Sequence, residues 1–159
     1  TITDWMGLLP IAIALGFAVL GLSQLIERKS LCRVNRSILI IGGFYVVVLA
    51  AYLLFETVVI NYRPVLVDGK LEASYPSSTT MLALCIFPTA MLQLRGRIRS
   101  AAVRKTVLCL LAAVTAILVV GRLISGVHWL SDILGGVFLS AGLVLLYAFI
   151  CPEDSPSNA

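Results

Sequence analysis

Charge is what this sequence has least of. Asp, Glu, Lys and Arg make up 13% of its 159 residues, about half the ~25% usual in soluble domains. Hydrophobic residues reach 60% and mean hydropathy is +1.03. That balance excludes an ordinary soluble domain and points to a protein immersed in a bilayer. Cysteine is sparse and unpatterned. Cys32, Cys85, Cys109 and Cys151 show no CxxC spacing, which argues against disulfides and against a zinc centre, so neither a metal nor a cofactor is expected. Histidine is rarer still, with His128 the only one. No internal repeat is present, and only the closing Ser-Pro-Ser-Asn-Ala reads as disordered. The first apolar segment lacks the basic flank of a signal peptide. The chain opens on Thr1 rather than methionine, and a preceding piece, up to a whole helix, is expected to lie outside this numbering.

What is present is a series of five apolar segments, about Met6–Ile26, Ile38–Ile60, Thr79–Leu94, Thr106–Gly121 and Ile133–Ile150. A spanning helix needs roughly 20 residues. The third and fourth segments reach that length only with their flanks. The expected fold is therefore all-α, an integral membrane bundle of five transmembrane helices forming a single domain over residues 1–150, followed by a short cytoplasmic tail at 151–159. Nine of the twelve Lys/Arg fall in two connections, Arg28, Lys29, Arg33 and Arg36 in the first and Arg95, Arg97, Arg99, Arg104 and Lys105 in the third. Cytoplasmic loops carry such an excess. Five alternating spans then set the N-terminus outside, the C-terminus inside, and the stretches Arg63–Pro76 and Arg122–Asp132 on the extracytoplasmic face. The net charge of +4 reflects this insertion and does not imply a nucleic-acid partner. Small residues (Gly16, Gly21, Gly42–Gly43, Gly135–Gly136 and Ser140–Ala141–Gly142) let helices approach closely within one bundle.

Two outward loops hold nearly all the unusual polar residues. Arg63 and Arg122 carry planar, permanently charged donor forks that match phosphate oxygens. Pro76-Ser77-Ser78-Thr79 opens a helix, whose N-terminus presents backbone N–H groups to an anion. Ser77 adds a hydroxyl. His128 is a candidate covalent nucleophile. Asp132, four residues on, lies on the same face if the segment is helical, where it holds one ring nitrogen and leaves the other free to react. Each feature alone has a plain structural explanation, such as an interfacial anchor or a helix start. Together on one face they point to chemistry on phosphate, with positioning and positive charge as its main needs.

These residues resemble the signatures of the type-2 phosphatidic acid phosphatase superfamily of membrane lipid phosphatases, which are Lys-x6-Arg-Pro, Pro-Ser-Gly-His and Ser-Arg-x5-His-x3-Asp. This chain reads Glu56-x6-Arg63-Pro64, Pro76-Ser77-Ser78-Thr79 and Gly121-Arg122-x5-His128-x3-Asp132. The resemblance runs from about Gly42 to Ile150, and its third signature is the most specific. It implies that His128 forms a phosphohistidine oriented by Asp132, and that Arg63, Ser77 and Arg122 hold phosphate together with Ser78 and Thr79 at the helix start. It also implies six spans, so five are expected for a chain without the family's first helix. The departures concern the other half of the site. Glu56 stands for the phosphate-binding lysine, Thr79 for the histidine that protonates the leaving group, Ser78 for the glycine before it and Gly121 for a serine. Glu56 is expected either to pair with Arg63 or to act as a substitute acid.

The expected activity is hydrolysis of a lipid phosphate or, better, a lipid diphosphate, through phospho-His128 at an extracytoplasmic site. Polyprenyl diphosphate and phosphatidic acid typify the substrate class. A diphosphate suits the chain because its leaving group needs no added proton, whereas general acid assistance is worth about 10²–10⁴-fold for a poor one. The rival reading is a non-catalytic relative that binds or transports phosphorylated lipids with the same arginines. A weaker third is a structural membrane partner whose loops are only anchors.

Overall fold

The computed structural model describes residues 5–67 and 69–151. Five long helices follow in order: α1 Leu8–Arg28, α2 Arg36–Thr57, α3 Ser78–Arg97, α4 Ala101–Ile124 and α5 Leu130–Ile150. The 3-10 turn Leu31–Arg33 joins α1 to α2. No strand forms among the described residues; two isolated bridges, Tyr62 with Ala73 and Val67 with Lys70, stitch the α2–α3 connection into a small hairpin. The expected cytoplasmic tail, apart from Cys151, lies outside the described residues.

Local chemistry sets the helix ends. The Asn35 side chain accepts from Ser37 N at 3.0 Å to start α2, as a capping residue should. Ser100 does the same for α4 through Val103 N. At α5, Asp132 in the first turn accepts from Trp129 N at 2.9 Å. Helix α2 stops at Thr57, three residues short of the apolar run, because Val58–Ile60 lead into the hairpin instead.

Four helices, all except α3, are long and apolar enough to cross a membrane. They carry large apolar side chains outward, among them Val19, Leu53, Leu110, Ile117, Leu145 and Phe149. An outward apolar surface on this scale suits acyl chains and not water. The architecture is that of a helical membrane bundle.

Helix α3 is different in kind. It packs against each of the other four helices and buries Met81, Ala83, Cys85, Ile86, Phe87 and Ala90. Its polar residues lower its hydropathy, yet the neighbouring helices and its own backbone satisfy them. Gln93 Nε2 donates to the Tyr147 hydroxyl at 2.7 Å, Arg97 Nη2 to Ser37 Oγ at 3.0 Å, and Thr89 Oγ1 to the Cys85 carbonyl at 2.7 Å. A central helix can be polar because protein, not lipid, meets its side chains.

Two adjacent glycines bring α5 against the start of α3. A Cβ at Gly135 would collide with the Tyr75 ring, and one at Gly136 would press on Thr80 Cγ2 at 3.3 Å and on the Ser77 carbonyl at 3.4 Å. With hydrogen there, Tyr75 and the α3 N-terminus lie directly on α5. Ser77 N then donates to the Asp132 carbonyl at 3.0 Å. The hairpin, the start of α3 and the start of α5 thus meet at one end of the bundle.

Candidate active site

That meeting point holds the unusual polar residues. Arg122 lies in the last turn of α4 and is buried. His128 sits in the short α4–α5 connection, its side chain only 1% exposed. It precedes α5, so its approach to Asp132 comes from the capped first turn and not from two residues of one helix face. His128 Nδ1 is 3.9 Å from Asp132 Oδ2, which is beyond a hydrogen bond. The direct His128–Asp132 bond expected from the sequence is therefore not made. A hydroxyl stands between them: Ser74 Oγ lies 3.2 Å from Nδ1 and donates to Asp132 Oδ2.

The other ring nitrogen faces Arg122, with Nη2 3.2 Å from His128 Nε2. A guanidinium only donates, so Nε2 presents its lone pair and the neutral ring carries its proton on Nδ1. Burial, then the charges of Arg122 and Arg63, hold this imidazole down at about 4 from its usual 6.5, against the opposing pull of Asp132. His128 is therefore neutral at pH 7, as a nitrogen nucleophile must be.

This depressed value yields a sharp expectation. Between pH 6.5 and 4 an unfolded chain takes up a proton that the folded chain refuses. The contribution of the site to stability is thus complete above about 6.5 and lost as pH falls through about 4. Because the protein has one histidine, imidazole NMR reports this site alone. A midpoint near 4 is expected in the native chain, moving upward in Arg63→Ala; a native midpoint at or above 6.5 would refute the assignment.

The remaining residues divide. Arg63, Ser74, Ser78 and His128 line one narrow cleft of about 20 Å³. Arg63 is steered by the hairpin: its backbone N–H donates to the Glu72 carbonyl at 3.1 Å, and its guanidinium pairs with Glu72 at 3.3 Å. The partner of Arg63 is thus Glu72, not Glu56 as one expectation had it. Glu56, exposed at the end of α2, lines the same cleft. Ser77 is fully buried, and its hydroxyl accepts from Thr80 Oγ1 at 3.0 Å. Its amide is committed to the Asp132 carbonyl. The N–H groups that open α3 toward an anion are those of Ser78, Thr79 and Thr80, which precede the first intrahelical bond, from Met81 N to the Ser77 carbonyl. The Thr79 side chain is not among the cleft-lining groups.

Sequence reasoning missed Ser74, Asn61 and Glu72. Asn61 accepts from Ser74 N at 2.8 Å through its carbonyl, and its side chain donates to Asp132 Oδ1 at 3.4 Å. Their only signal was being polar within a loop of chemical interest. No motif includes them.

The chain matches the PAP2 superfamily over residues 38–154, a span that contains every residue of this site, and it belongs to that family. Among solved structures it is similar to the first transmembrane PAP2-type phosphatidylglycerolphosphate phosphatase from Bacillus subtilis. The two share 20% identity with a TM-score of 0.56, over 97% of this chain and 80% of that one; the likeness is one of fold. No curated protein matches the chain.

Proposed function

We propose that this protein is a membrane lipid phosphatase that works through a phosphohistidine at His128. The observation that carries the reading is the fixed tautomer: a buried, neutral imidazole whose Nε2 lone pair faces the Arg122 guanidinium at 3.2 Å. A phosphate drawn to Arg122 and Arg63 meets that lone pair. In the first step the Nε2–P bond forms and the P–O bond to the leaving group breaks, its electron pair departing with the oxygen. Water then attacks phosphorus, the Nε2–P bond breaks and inorganic phosphate leaves. The arginines and the α3 amides offset charge on the transferring oxygens, which is the main requirement of phosphoryl transfer.

All five helices span the bilayer in this proposal, with α3 shielded by its neighbours, the site on the extracytoplasmic side and the C-terminus in the cytoplasm. The clustering of Lys and Arg at the facing ends of α1 and α2 and of α3 and α4, and in the turns between them, supports that orientation. The substrate is a phosphorylated membrane lipid, with diphosphates favoured. Thr79 carries no titratable proton near neutral pH, and a phosphate monoester leaves without one more readily than an alkoxide does.

The absent acid equally suits a relative that binds or moves phosphorylated lipids without cleaving them. Phosphate release decides between the two. The purified full chain is presented with phosphatidic acid, phosphatidylglycerolphosphate and a polyprenyl diphosphate, with His128→Ala as control. Release fastest from the diphosphate and abolished in the variant is expected. Binding of these lipids without release from any would establish the binder.

A further inference from the structure

The hydroxyl between His128 and Asp132 has no counterpart in the signatures that define the site. We propose that Ser74 is the positioning residue through which Asp132 holds the nucleophile, so that the working unit is Arg122–His128–Ser74–Asp132 and not a histidine–aspartate pair.

The direction of every bond in this chain is forced. Arg122 can only donate, so Nε2 of His128 accepts at 3.2 Å. A neutral imidazole then has its single proton on Nδ1, and Ser74 meets that proton, with its Oγ at 3.2 Å and its backbone beside it. A serine hydroxyl has one proton to give. Having accepted from Nδ1, Ser74 gives that proton to Asp132 Oδ2. The same carboxylate oxygen accepts from Trp129 N at 2.9 Å, while Oδ1 accepts from Asn61 Nδ2 and from Ser131 Oγ, each at 3.4 Å. Asp132 is thus anchored to the α5 cap and the hairpin, and it reaches the imidazole only through the serine.

Ser74 is also held from its own side. It is 2% exposed, and its N–H donates to the Asn61 carbonyl at 2.8 Å across the hairpin. The nucleophile therefore takes its ring orientation from a segment more than fifty residues earlier in the chain, which also carries Arg63. Docking the hairpin sets the nucleophile and a phosphate ligand in one act. As the Nε2–P bond forms, positive charge develops on the ring and the Nδ1–H bond to Ser74 strengthens. The proton stays on Nδ1 and returns to an ordinary hydrogen bond when the Nε2–P bond breaks. The ring neither gains nor loses a proton over the cycle.

The test uses the purified full chain in lipid nanodiscs, with Ser74→Ala and the hydroxyl-retaining Ser74→Thr. Proton and nitrogen-15 NMR of the sole imidazole read the tautomer and the Nδ1–H hydrogen bond directly. In the native chain the proton is expected on Nδ1. In Ser74→Ala the proton is expected to stay on Nδ1, because Arg122 still faces Nε2. With Asp132 Oδ2 3.9 Å away, however, the Nδ1–H loses the hydroxyl that links it to the carboxylate. Its proton resonance is expected to move upfield and its exchange with water to quicken, and Ser74→Thr is expected to restore the native pattern. Thermal unfolding of the same samples separates this effect from loss of fold. The kinetic arm rests on the phosphatase reading: kcat is expected to fall on the order of 10²-fold in Ser74→Ala, as for a misplaced reacting group, with KM little changed. An unaltered Nδ1–H resonance and exchange rate in a folded Ser74→Ala chain would overturn the proposal, as would unaltered kcat in a chain whose native form is active. A native chain that releases no phosphate would instead overturn the phosphatase reading, and the NMR arm would still decide the role of Ser74.

Discussion

Arg122→Ala is expected to lower phosphate release by about 10³-fold or more, the lower end of what a transition-state arginine contributes in phosphoryl transfer. The size follows from position. Arg122 is buried at 2% exposure and its Nη2 lies against the attacking nitrogen, so on the proposed mechanism its charge acts where the equatorial oxygens gather negative charge and where water screens little. Arg122→Lys is expected to recover only part of the loss, because an ammonium is a point charge and cannot grip two oxygens in one plane. Arg122→Ala also removes one of the positive charges that hold the His128 imidazole near 4. The acid limb of the pH–rate profile should therefore move upward in Arg122→Ala, making the deficit larger at pH 5 than at pH 8. Single-turnover rates over that range measure both effects. A loss under about 10-fold, or a limb that stays in place, would remove Arg122 from the chemistry.

The second large effect runs the other way. Thr79→His is expected to raise hydrolysis of a lipid monophosphate by up to ~10²–10⁴-fold, the range of general acid assistance, and to change diphosphate hydrolysis far less. Thr79 lies in the first turn of α3, next to the cleft-lining Ser78. The longer imidazole is expected to reach the leaving oxygen that threonine does not. Glu56→Lys should independently tighten phosphate binding, because it replaces a negative charge on the cleft that Arg63 and His128 share with a positive one. The double variant is expected to exceed either single change, since an acid helps only a phosphate that is well seated. His128→Ala in each background should erase the gain. Equal native rates on monophosphate and diphosphate would show that the leaving group does not limit this protein. A gain that survived His128→Ala would show that the chemistry runs elsewhere.

Much of the molecule was legible in the chain because membrane insertion is written in composition. Long apolar runs separated by Arg/Lys clusters give the helix count, whereas the caps at Asn35 and Ser100 that set the ends emerged only from the structure. The site was legible where spacing is local. Arg122, His128 and Asp132 lie within eleven residues, and the helix start at Pro76–Ser78 announces itself by residue type. Helix α3 was harder, since its role as the enclosed central helix depends on four neighbours packed around it, two of which, α2 and α5, satisfy Gln93 and Arg97. Arg63 illustrates the limit. Its presence in a motif was clear, but its ion-pair partner Glu72 follows from hairpin register and not from helical spacing.

By itself, then, the sequence determined that this is an all-helical membrane protein of the PAP2 superfamily that carries Arg63, Arg122, His128 and Asp132 in two of its connecting regions. Composition, charge asymmetry and short-range spacing are enough for that. Only the tertiary structure decided how those groups are wired. Gly135 and Gly136 draw α5 onto Tyr75 and the start of α3, the hairpin carries Ser74 to His128 across fifty-four positions of chain, and the Nε2 lone pair of that single imidazole faces the Arg122 guanidinium. A hydrogen-bond chain depends on angles and on tenths of an ångström between segments far apart in sequence, and no local pattern of residues encodes those.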